Sequence, residues 1–386
     1  MSVPDKIYEK IVESLPSLQG KCVAITGTTS GTGQICASAA LKKHAACVLL
    51  LNRQSARSDR SMAELEGLCP AGSSVFALDC DLQSFASVCR AAERVAALAA
   101  PRGGLDVLCC NAGVMGLPDA RTTDGHDVQM QTNHLSHFLL TDLLMPVLEQ
   151  AAASRGEARV VQHSSGARGR RMAADGTGML QARYFGVCEP DSLGGDKMGA
   201  CFDRYHQTKL ANSVFAMALD DKLRAGGSKV KSICAEPGVA ATSLATNLAQ
   251  GHAARRGPNA NRGAGGAAAK TAGLGGAAGA YPGIQSAADG ACPLMMAAFA
   301  ADVDSGDFFM PGEFVKKTVV GIPVKCMEGG KPTPKAPWMG KAFDDEFLTM
   351  SSENRAVLWD ASMAAVQVWQ SRFRARSFSA LPRSKL

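Results

Sequence analysis

The sequence predicts an α/β fold, a doubly wound parallel sheet in one domain with a C-terminal extension. Two observations carry this. Short apolar runs alternate with helical segments along most of the chain, and the first run opens through a glycine-rich turn straight into a helix. A chain of 386 residues, 46% hydrophobic and 20% charged, has ample material for such a core.

The bulk numbers narrow the function. A net charge of +6 without a long basic run does not argue for nucleic acid, and it does not repel a phosphorylated cofactor. The 13 cysteines are scattered, with no metal-ligand spacing, and read as reduced thiols in an intracellular compartment. No apolar run reaches the length of a membrane span.

Ile7, Ile11 and Leu15 recur at helical spacing, so residues 1–20 read as a short amphipathic helix on the outside of the domain. Lys21 to Ile25 is the first strand. It enters Thr26-Gly27-Thr28-Thr29-Ser30-Gly31-Thr32-Gly33, then a helix to Lys43 and a second strand, Ala46 to Leu51. Strand, glycine turn, helix and strand make up the dinucleotide-binding unit of a Rossmann-type fold, where helix N-terminal amides face a pyrophosphate. The second strand ends in Asn52-Arg53, with no acidic residue to hold a ribose 2′-hydroxyl. Arg53 is suited to a 2′-phosphate, so NADP(H) is expected over NAD(H).

Ser61 to Leu68 reads as a helix, Val75 to Leu82 as the third strand and its exit, and Ser84 as the cap of a helix through Ala99. The fourth strand, Leu105 to Cys110, runs into Asn111-Ala112-Gly113. A long helix follows from about Gly125 to Gln150, carrying Asn133, His134 and His137. The two histidines lack a third ligand, so no metal is expected. Arg159 to His163 is the fifth strand, ending in Ser164-Ser165. Residues 166–203 read as an irregular substrate-side insertion. Val230 to Ala235 is the sixth strand, followed by Glu236-Pro237-Gly238. Residues 251–280, dominated by Gly and Ala, read as a mobile loop. A helix from Ser286 to Ala300, a last strand near Phe308, a loop over 321–340 and a helix from Ser352 to Trp369 complete the chain. The resulting division is 1–20, 21–320 and 321–386. In such sheets ligands gather at the C-terminal strand ends, where Gly27, Arg53, Asp81 and Asn111 fall.

Arg204 to Asn212 opens one more helix. Tyr205 and Lys209 lie four apart on it, hence on one face. A free tyrosine titrates near pH 10, and a close cation lowers that value. The pair is therefore expected to be a proton-transfer device, with the lysine bringing the phenol down. His206 beside it points elsewhere and is expected on the helix surface.

These motifs in this order resemble the short-chain dehydrogenase/reductase family over roughly residues 20–320. The stretches TNHLSHFLLT, YHQTKLAN and LWDAS look most like its branch of retinol dehydrogenases, the WW-domain oxidoreductase and protochlorophyllide reductase. The resemblance implies hydride transfer at a carbonyl or alcohol of a lipophilic molecule, with Tyr205 as general acid or base. Lys209 would tune it and hold the nicotinamide ribose. Ser165, rather than Ser164, would bind the substrate oxygen, and Asn133 would anchor a relay water. Gly27, Ser30, Gly31, Thr32 and Gly33 would line the pyrophosphate, and Asp81 and Leu82 the adenine. Asn111, Ala112 and Gly113 would flank the ribose, and Pro237, Gly238 and Thr242 the nicotinamide. Members of the family pair into dimers or tetramers, so a homo-oligomer is among the expectations. Thr28, Thr29, Thr32 and Glu236 depart from the branch's usual residues.

The chain ends in Ser384-Lys385-Leu386, an address read by the peroxisomal import receptor. The expectation is a peroxisomal or glycosome-like enzyme. The alternatives are an NADPH-binding sensor or scaffold without turnover and a protochlorophyllide reductase-like enzyme.

Overall fold

The computed structural model describes residues 6–174, 176–242, 244, 284–315, 318–333 and 345–379. The 251–280 segment and the C-terminal tripeptide lie outside them. The central sheet takes the order β3-β2-β1-β4-β5-β6-β7-β8-β9. Its strands are β1 Cys22–Thr26, β2 Cys47–Asn52, β3 Ser74–Asp79, β4 Val107–Cys110, β5 Ala158–His163, β6 Val230–Ala235, β7 Phe308–Val315, β8 Thr318–Glu328 and β9 Lys331–Pro332. β1 to β7 pair in parallel, with Cys22 opposite Cys47, Val23 opposite Val107 and Cys234 opposite Phe308. β8 and β9 add on antiparallel.

The helices are α1 Lys6–Ser14, α2 Gly31–Lys42, α3 Ala56–Glu66, α4 Phe85–Ala99, α5 Val128–Met130, α6 Ser136–Arg155, α7 Met198–Ala225, α8 Ala287–Phe299, α9 Asp345–Met350 and α10 Ser352–Ser379. They cover both faces of the sheet, which is why β1, β2, β4 and β5 are buried from end to end and read as apolar runs. Alternation sorts the strands. Cys22 and Ala24 pack toward α4, α6, α7 and α10, and Val23 and Ile25 toward α1, α2 and α8. The sheet order reverses between β1 and β4, so the crevice at their C-terminal ends is the expected ligand position.

The elements depart from the sequence reading in four places. The helix expected over 125–150 is interrupted by a π turn, Gln131–Leu135, which carries Asn133. Such turns recur at functional sites. α7 starts at Met198, six residues ahead of Arg204, because nothing between them breaks a helix beyond one tolerated Gly199. Residues expected as loop over 321–340 instead supply most of β8. Its Pro323 stands opposite Pro311, next to a register shift, where the ladder tolerates two missing N–H groups. α10 runs ten residues past Trp369 and lies across α7, α6 and α4.

Candidate active site

The glycine turn between β1 and α2 is built for close approach. Gly27 has φ +73°, and a Cβ on it would sit 2.8 Å from Ala112. A Cβ on Gly33 would lie 2.3 Å from the Gly27 carbonyl and 2.4 Å from Asn111 Nδ2. Only glycine fits either position. Ser30 caps α2 with extended backbone but makes no side-chain cap bond, so the first-turn amides stay available to an anion. Gly31 lies against Thr242, whose methyl would be 3.5 Å from an added Cβ.

Around this turn the polar residues act as staples. Thr28 N–H donates to Asn52 Oδ1 at 2.8 Å, and Asn52 Nδ2 donates to Thr28 Oγ1 at 2.7 Å. Asn111 donates from Nδ2 to the carbonyls of Thr26 and Gly27, and its Oδ1 accepts from Thr32 Oγ1 at 2.8 Å. Thr28 and Thr32, two of the departures from the branch pattern, thus lock the turn to β2 and to the residue after β4. Asn111 holds the turn. Ala112 and Gly113 follow it along the crevice. Asp81 turns back on the Gln83 N–H at 3.0 Å, beside buried Leu82. Arg53 is exposed one residue past β2.

Arg57 was not legible as a site residue. It stands in the first turn of α3, and its Nη2 donates to Ser30 Oγ at 2.9 Å.

The residues expected to be catalytic gather at the ends of β4 and β5. Tyr205 is 3% exposed, and Ser165 stands near enough to its phenol to pull its pKa down. Ser165 opens the 3-10 turn Gly166–Gly169 and accepts from Ala167 N–H at 3.3 Å. Ser164 is buried and donates to the Lys209 carbonyl at 2.7 Å, which leaves Ser165 as the serine beside the phenol. Lys209 donates to the His163 carbonyl at 2.9 Å, with its Nζ 5.9 Å from the Tyr205 ring centre. A Cβ on Gly113 would come within 3.5 Å of that Nζ, so the loop after β4 reaches the lysine with no side chain between.

Two expectations change here. The lysine does not lower the phenol in this state. Burial pushes Tyr205 up to about 12, although the Ser165 hydrogen bond pulls down, because the ammonium is turned to the β5 end. Burial also pushes Lys209 down to about 8. The Asn133 side chain is fully engaged, accepting from Val114 N–H and donating to Val114 O and Thr208 Oγ1. Its carbonyl faces His137 Nδ1 at 3.0 Å. It shapes the Val114 loop. His206 is not on the surface. It is fully buried, with its ring nitrogens facing the carbonyls of Ala167 and Gly178, because the 166–203 insertion folds over α7.

Glu236, expected only as a departure, forms a buried ion pair with Arg168. The Arg168 guanidinium lies 4.5 Å from the Phe308 ring centre. The pair joins the turn after β5 to the Pro237-Gly238 loop after β6.

The buried histidines make acid stability a direct test of this packing. Burial pushes His134, His137 and His163 down to about 3, 4 and 3. The folded protein holds them neutral, whereas an unfolded histidine binds a proton below about 6.5. Stability therefore falls as pH drops from about 6.5 toward 4, by roughly 1.4 kcal/mol per unit per histidine. Asp127, pushed up to about 6 by burial, takes up its proton when folded and offsets one of the three between about 6 and 4. Urea unfolding midpoints near pH 7 and pH 5 check this; an unchanged midpoint contradicts it.

Comparison with known proteins agrees with this geometry. The family model for short chain dehydrogenase matches residues 21–176. A short-chain dehydrogenase/reductase of Armillaria gallica is 34% identical over 61% of this chain and 71% of its own length. Polyprenol dehydrogenase of Mus musculus is 33% identical over 60% of this chain; the match spans 63% of the relative's length. Retinol dehydrogenases of Mus musculus also match. Among solved structures, an uncharacterized protein from Mycobacterium paratuberculosis superposes with a TM-score of 0.58 at 24% identity, over 92% of this chain and 97% of the other. With the glycine cradle, the Ser165–Tyr205–Lys209 cluster and these matches in agreement, the chain belongs to the short-chain dehydrogenase/reductase family, in the branch resembling retinol dehydrogenases.

Proposed function

We propose that the chain is an NADP(H)-dependent oxidoreductase that interconverts a carbonyl and an alcohol on a lipophilic small molecule. The observation that carries this is the cluster of Ser165, Tyr205 and Lys209 at the sheet edge, beside a glycine turn whose helix amides are uncapped. The turn fits a dinucleotide pyrophosphate, since a Cβ at Gly33 would close it. Bound NADPH supplies a hydride to the carbonyl carbon. Tyr205 gives the phenolic proton to the carbonyl oxygen, and Ser165 stabilises the charge growing there. Lys209, with its carbon chain along α7, adds positive charge near the phenol. The alcohol leaves, and Tyr205 is reprotonated from solvent.

The phosphorylated cofactor is favoured by three features. Asn52 spends its side chain on Thr28, Arg53 is exposed at the strand end, and Arg57 reaches the turn. Arg57→Ala is expected to weaken NADPH binding about tenfold and to leave NADH within about twofold, as charge-assisted phosphate bonds require. Titration of protein fluorescence with each nucleotide checks this; equal losses for both contradict it. Val239, in the loop after β6, is 40% exposed.

The deciding experiment is NADPH consumption with retinal, aliphatic aldehydes, steroid ketones and a 3-ketoacyl thioester. Turnover on one class supports the enzyme reading. Tight NADPH binding without turnover on any class supports a cofactor sensor, and no NADPH binding sinks both.

A further inference from the structure

The turn that carries Ser165 continues into Arg170, whose N–H donates to the Ala167 carbonyl at 3.2 Å. The Arg170 guanidinium lies over the Phe202 ring, 5.5 Å from its centre. The Phe202 ring meets Tyr205 edge-on, with centres 6.3 Å apart and planes at 89°. Phe202, Tyr205 and Lys209 recur at helical spacing on α7, and Met198 stands one turn before Phe202 on the same face. The guanidinium, the Phe202 ring and the phenol therefore stand in succession, with exposed Met198 at the outer end of the same helix face.

The guanidinium is poised rather than spent. Its side chain is 38% exposed, and its nearest acid is Asp203, with Nε 3.7 Å from Oδ1. That separation is an ion pair but too long for a hydrogen bond. Arg170 Nε has no hydrogen-bond partner among the described residues. Asp203 itself is buried, and its two oxygens accept from Ala173 N–H at 2.8 Å and Ala174 N–H at 3.1 Å. The carboxylate is thus committed to the chain that follows Arg170, and the planar donor fork is held on the face of the Phe202 ring, next to Tyr205. A guanidinium so placed is suited to a carboxylate or phosphate.

We propose that Arg170 recognises an anionic group at the far end of the substrate. The substrate class is then an apolar chain with a carbonyl or alcohol at one end and a carboxylate or phosphate at the other. This rests on the oxidoreductase reading above, and names what that reading leaves open.

The test compares decanal, ω-oxodecanoate and the phosphate ester of ω-hydroxydecanal as NADPH-linked substrates of the full chain. In wild type, kcat/KM is expected to be about tenfold or more higher for one or both anionic substrates than for decanal. Arg170→Met keeps an apolar stem over Phe202. It should remove that preference through KM while leaving decanal within about twofold, and Arg170→Lys should restore part of it. Which anion gains more separates a carboxylate from a phosphate. Equal kcat/KM for all three in wild type overturns the proposal. So does an equal loss for all three in Arg170→Met, or turnover confined to neutral carbonyls. Calorimetry with ω-hydroxydecanoate against decanol in the presence of NADP⁺ reads the same preference without turnover. If neither alcohol is preferred and Arg170→Met changes nothing, the proposal fails. A wild type that prefers the anionic alcohol yet shows no hydride transfer keeps Arg170 as a ligand-binding residue and removes the oxidoreductase reading instead.

Discussion

Tyr205→Phe is expected to lower NADPH-linked carbonyl reduction by about 10²–10⁴-fold, the usual worth of a positioned general acid. Phenylalanine keeps the ring and its edge contact with Phe202 and removes only the hydroxyl beside Ser165. Loss of packing is therefore small, and NADPH affinity is expected to stay within about threefold. The pH dependence follows from the same environment. Burial holds the phenol near 12, so Tyr205 stays protonated through the working range and is always ready to donate. The limiting charge on the reduction side is Lys209, which burial pushes down to about 8. Raising the pH through about 8 strips its proton, and kcat/KM for reduction should fall there. Alcohol oxidation needs the phenolate and should rise with pH instead. The same depressed lysine makes a stability prediction of known sign. Between about 8 and 10.5 the unfolded chain holds a proton that the folded chain has lost, so the folded state gains stability across that window. Profiles of kcat/KM from about pH 6 to about pH 10, wild type beside Tyr205→Phe, read the catalytic part. A variant as fast as wild type removes Tyr205 from the mechanism.

Much of this site could be read in the sequence because its signals are local. Val48 to Leu51 is buried on both faces, so it reads as an apolar run bounded by turns. Gly27 and Gly33 are required by backbone contacts within one loop and its neighbour. Tyr205 and Lys209 need only helical spacing to lie together. What escaped depends on contacts that no window contains. Nothing in Gln131 to Leu135 marks a π turn, yet that turn delivers Asn133 to the Val114 backbone. His206 is adjacent to Tyr205 and points away from it, as helical geometry requires. It is nevertheless buried, because an insertion without periodicity folds over that face. The reading of 321–340 as loop followed from its Pro and Gly content, but the proline falls where the ladder is already irregular. The side chains of Asn111 and Asn133 hold backbone groups of the Thr26-Gly27 turn and the Val114 loop, contacts that no local window shows.

The Arg168–Glu236 pair is the clearest case of a feature hidden by sequence distance, and breaking it should have the largest effect on stability. Both side chains are almost wholly buried, at 4% and 1% exposure. Glu236→Ala would leave the guanidinium against the Phe308 ring without its carboxylate, in a place water reaches poorly. Removing one partner of a buried pair costs about 3–5 kcal/mol, because the remaining charge keeps its desolvation penalty. Replacing both partners with apolar groups of similar volume is often neutral. Arg168→Met with Glu236→Leu should therefore be more stable than Glu236→Ala alone. The pair also ties the Ser165 turn to the Pro237-Gly238 loop, so its rupture should show on both sides. Amide exchange in Glu236→Ala is expected to speed up at Gly166 to Gly169 as well as at Gly238, while the α2 amides behind the glycine turn stay protected. Denaturant midpoints of the two single variants and the double variant, read with exchange rates, decide it. If the double variant loses the sum of the single losses, the two residues act independently. If exchange rises only at Gly238, Glu236 supports its own loop and does not hold the serine turn.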